Sequence, residues 1–113
     1  MTFKNWIINK FHKSALYKEI ITFLQSENHL KIGGLEGSSR SLFSSALFYD
    51  LSNTIIVVSA TEREAENFYE DLKELNIERS YYFPSSPTTP YHQAVIDEEI
   101  ESGRLEVIKS VIK

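Results

Sequence analysis

A chain of 113 residues is enough for one domain, and its 42% hydrophobic and 25% charged residues suit an ordinary globular protein with a modest core. The net charge of -4 argues against a DNA-binding surface; Lys4, Lys10, Lys13 and Lys18 gather near the N-terminus, but their helical spacing reads as a solvated face. Without cysteine there is no disulfide or thiolate metal site, no run reaches the ~18 apolar residues of a membrane span, and the N-terminus lacks a secretory pattern, so a reducing cytoplasm is expected.

Phe3, Trp6, Ile7 and Phe11 recur at helical spacing over residues 3–12 and predict a short amphipathic helix. A second helix is expected from Ser14, whose side chain can cap it, to about Ser26, with Leu16, Ile20, Phe23 and Leu24 on one face. That aromatic stripe is read as core ahead of a cofactor or partner groove. After the polar Ser26-Glu27-Asn28, the segment His29-Leu30-Lys31-Ile32-Gly33 reads as a short strand feeding a glycine-rich loop.

The loop Gly34-Leu35-Glu36-Gly37-Ser38-Ser39-Arg40-Ser41 has the outline of a phosphate loop, G-x-x-x-x-G-K-[ST], in which backbone N–H groups cradle phosphates, a Lys reaches the terminal ones and a hydroxyl holds Mg²⁺. Counted from Gly34, the second glycine has become Ser39, the lysine Arg40, and the hydroxyl survives at Ser41. Ser39 carries a Cβ where close backbone approach favours glycine, and the planar fork of Arg40 needs more room than an ammonium. Glu36 would face a triphosphate with like charge, at ~4 Å a repulsion of about 1 kcal/mol in water and about 4 at intermediate dielectric. The candidate site is therefore a degenerate phosphate loop made of Gly34, Gly37, Ser38, Ser39, Arg40 and Ser41, with ATP binding lost. The alternative is a plain flexible connection between strand and helix.

A helix is expected over Ser39 to Leu51, burying Leu42, Phe43, Ala46 and Leu47 and aiming its N-terminus at the phosphate position. Thr54-Ile55-Ile56-Val57-Val58-Ser59 is the strongest strand signal, an unbroken β-branched run suited to a strand covered on both faces. Thr61 and Glu64 form a capping box for a helix carrying Ala65, Phe68, Tyr69, Leu72 and Leu75 on one face. Its acids Glu62, Glu64, Glu66, Glu70, Asp71 and Glu74 read as a solvated face ahead of paired catalytic carboxylates. Ser80 to Phe83 reads as a third strand, stopped by Pro84, and the prolines up to Pro90 stiffen the connection that follows. From about Asp97, Ile100, Leu105, Ile108, Val111 and Ile112 mark a last helix weakened by Gly103.

Alternating strands and helices predict an α/β fold: a small parallel sheet flanked by helices, of degenerate P-loop, helicase-like type, with the loop at the carboxyl ends of the strands. Ending on an apolar-faced helix, the pattern suggests a subdomain of a longer chain, with an exposed sheet edge or last helix and possible self-association. His12, His29 and His92 fall on three elements with no metal-ligand spacing, no Ser/His/Asp arrangement appears, and no carboxylate closes the strand at Ser59 as a Walker B would need.

The order of these features resembles the N-terminal, excinuclease B-like region of the bacterial transcription-repair coupling factors. The resemblance is carried by the loop 34–41, by Ile55-Ile56-Val57-Val58 and by Glu64 to Leu72. Phe83-Pro84, Thr89-Pro90-Tyr91 and Arg104-Leu105-Glu106 complete it. It covers the chain from about Leu16 and implies a single N-terminal subdomain over 1–113 that has lost ATP binding. It implies a scaffold or regulatory piece, inactive itself, of a protein that couples removal of stalled RNA polymerase to nucleotide excision repair. ATP and Mg are implied only at a separate motor, and RNA polymerase, excinuclease A and DNA only as partners of the whole protein, beside contacts with the rest of the same polypeptide. Between Pro84 and Pro90 there is no room for the damage-probing hairpin of excinuclease B, so direct lesion probing is not expected. The rival reading is a working P-loop nucleotide-binding domain of an excinuclease B-like helicase, which the missing lysine, second glycine and Walker B carboxylate oppose.

Overall fold

The structure, a computed structural model, describes residues 2–26, 29–85 and 98–112. Among the described residues five helices follow in order: α1 Phe3–His12, α2 Ala15–Ser26, α3 Ser39–Leu51, α4 Glu62–Glu74 and α5 Glu98–Ile112. The α/β expectation is overturned. Among the described residues there is no strand and no sheet, and the protein is a small helical domain. The segments predicted as strands, 29–33, 54–59 and 80–83, carry no strand assignment, and no backbone hydrogen bond joins one to another. A β-branched run favours extended backbone, but a sheet also needs neighbours paired in register about 4.8 Å away. Cover on both faces is missing as well, for Ile56 is 81% and Val58 89% exposed.

The core sits where α1, α2 and α3 meet, built on Tyr17, Phe43 and Ala46 with Ile8, Phe11, Ile20, Ile21, Leu35 and Leu47 against it. Its aromatic rings meet tilted or edge-on: Phe11 lies 5.3 Å from Tyr17 and 6.1 Å from Phe43, and Tyr17 meets Phe43 at 89°. Such pairs add about 0.5–1.5 kcal/mol each beyond the area they bury. Ala46, fully buried, lets the helices approach at this point.

Helix positions follow the sequence reading more closely than helix faces do. Thr2 caps α1 by accepting from the Asn5 amide, and Ser14 accepts from the Tyr17 amide at the start of α2. On α1 the predicted stripe is only half inward: Phe11 packs into the core, whereas Phe3 and Trp6 stack on each other at the surface. On α2 the inward face is Tyr17, Ile20 and Ile21, and the predicted Leu16 is 66% exposed. The rotation places the Tyr17 ring among apolar neighbours while its hydroxyl reaches a carboxylate on α3.

The predicted face of α4 is half-buried, and Ser41 bonds across to this helix from α3. The α5 helix rests its Gly103, Arg104 and Val107 side toward the 81–84 segment. Its other face leaves Leu105, Ile108, Val111 and Ile112 exposed, the surface feature expected of the last helix. The predicted connection over 86–97, with Thr89, Pro90, Tyr91 and His92, lies outside the described residues, as does the polar turn at 27–28. The radius of gyration, 16.5 Å, exceeds the roughly 13 Å of a compact chain this long, in keeping with so small a core.

Candidate functional site

The loop 34–41 forms the sharp entry into α3. Gly34 and Gly37 hold φ of +85° and +55°, values that L side chains resist. A Cβ added to either would meet nothing within 4 Å, so backbone conformation, not space, makes glycine the fitting residue. Ser39, at the place of the second phosphate-loop glycine, is the first residue of α3 and is not among the positive-φ residues. The turn has relaxed into the helix and stores no strain there.

Several of the polar groups that would meet a phosphate are engaged within the chain. The Ser39 amide and hydroxyl both donate to the Glu36 carbonyl, at 3.2 and 2.6 Å, and the Arg40 amide donates to the Gly37 carbonyl at 3.3 Å. Arg40 Nε donates to the Leu35 carbonyl at 3.0 Å, which bends the guanidinium back over its own loop. Ser38 stands at the N-cap with helical φ and ψ and no side-chain capping bond. Ser41, the residue at the Mg²⁺-holding position, is 1% exposed; its hydroxyl donates to Asp71 Oδ2 on α4 at 3.0 Å, and its carbonyl accepts from Ser45 Oγ at 2.7 Å. The six loop residues are thus contiguous, but Ser41 points into the α3–α4 contact rather than toward a ligand. Asp71, read from sequence as part of a solvated acidic face, is the half-buried partner in that contact.

A second cluster was not legible in the sequence. Asp50, near the end of α3, accepts the Tyr17 hydroxyl from α2, while His12 Nε2 at the end of α1 lies 2.8 and 2.9 Å from its two carboxylate oxygens. Burial first, then the hydrogen bond to Asp50 and its charge, push the Tyr17 hydroxyl well above its usual 10.0. The three residues clasp α1, α2 and α3 at one end of the core. No sequence spacing brings positions 12, 17 and 50 together; only the helix packing does. The cluster offers one imidazole and one carboxylate, and no group of three or more His, Cys, Asp or Glu that could hold a metal ion occurs among the described residues.

No helix of the described residues is long and apolar enough to cross a membrane. No family model, curated protein or solved structure matches the chain.

Proposed function

We propose that the chain is a non-catalytic scaffold and regulatory unit of a bacterial transcription-repair coupling factor, in which the loop 34–41 serves as a structural joint and not as a nucleotide cradle. The observation that supports the first half is the burial of Ser41 with its hydroxyl given to Asp71. For Ser41 to hold Mg²⁺ it would have to leave that bond and strip cover from α3, and Arg40 would have to release the Leu35 carbonyl. The second half rests on the ordered sequence resemblance alone. On this reading ATP and Mg act at a separate motor, and RNA polymerase, excinuclease A and DNA meet other parts of the assembly.

Two experiments test the two halves separately. Calorimetry with ATP and Mg²⁺ is expected to give affinity weaker than about 1 mM, the ~4 kcal/mol scale of a few imperfect phosphate contacts. A low-micromolar, Mg²⁺-dependent constant would establish the rival reading, a working nucleotide-binding domain. In cells lacking the gene, ultraviolet lesions on the transcribed strand are expected to be repaired no faster than those on the other strand. Preserved strand preference would remove the coupling-factor assignment and leave the loop reading standing.

A further inference from the structure

Residues 1–18 hold Lys4, Lys10, Lys13 and Lys18 and neither Asp nor Glu, in a chain whose net charge is -4. The acids are concentrated elsewhere. Glu62, Glu64, Glu66, Glu70, Asp71 and Glu74 all lie on α4, which packs on α3 and makes no contact with α1. Around α1 carboxylates are few: α2 carries Glu19 alone, beside Lys18, and α3 carries Asp50 alone, which His12 and Tyr17 already engage. Among the described residues none of the four lysines has a carboxylate oxygen within 4 Å. The positive charge of this end of the molecule is therefore left unanswered by the chain itself.

Aromatic rings share that surface. The core takes Ile8 and Phe11 from α1, while Phe3, Trp6, Lys10 and Lys13 follow one another at spacings of three and four residues along the face turned away from it, all four exposed. Phe3 stacks on Trp6 with ring centres 6.0 Å apart, and Lys10 Nζ lies 5.3 Å from the centre of the Trp6 ring. We infer that this face of α1 docks on an anionic membrane surface, with the Phe3 and Trp6 rings among the headgroups and Lys10 and Lys13 against lipid phosphates and carboxylates. Aromatic rings favour that boundary, lysine stems lie along apolar surface while their ammonium groups stay in water, and each lysine near the surface adds to the attraction. No helix of the described residues is long and apolar enough to cross a membrane, so the contact is with its surface. Nucleobases are disfavoured, since Phe3 one turn before and Lys10 one turn after already lie against the Trp6 ring on which a base would stack. An acidic protein segment, the α4 of a second copy included, would answer the lysines and leave the two rings in water; an anionic lipid surface takes both. The inference does not depend on the coupling-factor reading.

Trp6 is the single tryptophan of the chain, so its fluorescence reports on this face directly. The test titrates the whole chain with vesicles of mixed phosphatidylcholine and phosphatidylserine, and with vesicles of phosphatidylcholine alone. A saturable blue shift is expected with the anionic vesicles only. Lys10 and Lys13 are exposed, so Lys10→Gln and Lys13→Gln should keep the helix content seen by circular dichroism while each weakens vesicle co-sedimentation about fivefold, the worth of one lysine at such a surface. Raising the salt from about 0.05 to 0.5 M should weaken it several-fold. The proposal is overturned by the absence of a saturable shift, by an equal response to the neutral vesicles, or by unchanged co-sedimentation in both glutamine variants. A comparable blue shift with a glutamate–alanine peptide, with a single-stranded oligonucleotide, or on concentrating the chain alone would assign the face to an acidic protein, to nucleic acid or to a second copy, and overturn it too.

Discussion

Asp50 carries more of the helical packing than its place near the end of α3 suggests. It meets His12 and Tyr17 from two other helices, and the nearly buried Tyr17, 3% exposed, has its hydroxyl satisfied there. Tyr17→Phe keeps the ring packing and removes one bond to a charged acceptor, so a loss of about 1.5–3 kcal/mol in urea unfolding is expected. The pH dependence has a definite sign. A hydroxyl whose folded pKa lies above its unfolded value of 10.0 contributes stability that is whole below pH 10 and is lost as pH rises through the folded pKa. The native protein should therefore lose up to about 1.4 kcal/mol per pH unit above pH 10 from this group, and Tyr17→Phe should lose that much less steeply. Parallel pH profiles for the two proteins would show that the clasp does not hold. Ser41→Ala removes the α3–α4 bond and strands Asp71 with one partner fewer; a cost of about 1 kcal/mol is expected in the same assay, with ATP affinity unchanged.

At the scale of elements, α4 is the best-terminated helix. Thr61 in extended conformation accepts from the Glu64 amide at its start, the half of the predicted capping box that the structure displays. At its end Asn76 takes φ of +55°, its amide donates to the Lys73 carbonyl, and the Ile77 amide reaches back to the Leu72 carbonyl, both at 3.0 Å. This is a Schellman closure with asparagine in the left-handed position and the buried Ile77 as its apolar contact. Asn76→Val, whose branched Cβ resists that conformation, should cost about 1–2 kcal/mol. Amide exchange at residues 72–77 is the direct check, and unchanged protection there would contradict the assignment. An Asn after an amphipathic run is a readable helix stop, because its short polar side chain tolerates the left-handed backbone better than most.

For the whole molecule, the main feature is apolar surface left over by a small core. Ile56 and Val58 are exposed on the 54–59 segment, and Leu105, Val111 and Ile112 line the outer face of α5. A β-branched run with such exposure is an aggregation hazard in its own right. Val58→Lys should leave the unfolding free energy within about 0.5 kcal/mol, because little burial is lost, and should slow light-scattering growth at high concentration. A large destabilisation would mean that Val58 has cover in solution which the described residues do not provide.

The sequence by itself determined the helices. Apolar spacing and the hydroxyl at Ser14 place α1 and α2 within a residue, Ser39–Leu51 matches α3, and Thr61 with Glu64 places the start of α4, because these signals act within one or two turns of chain. The loop 34–41 was legible as a glycine-rich turn for the same reason: left-handed backbone at Gly34 and Gly37 is a local property. Tertiary structure decided the rest. Whether Thr54–Ser59 joins a sheet depends on distant partners that no local run encodes, and here the described residues supply none. Which face of α2 turns inward depends on Asp50 and Phe43 standing ready to receive Tyr17. Ser41 looks like a metal ligand when read along the chain; it becomes a packing residue only once Asp71, thirty positions later, is brought to 3.0 Å from its hydroxyl.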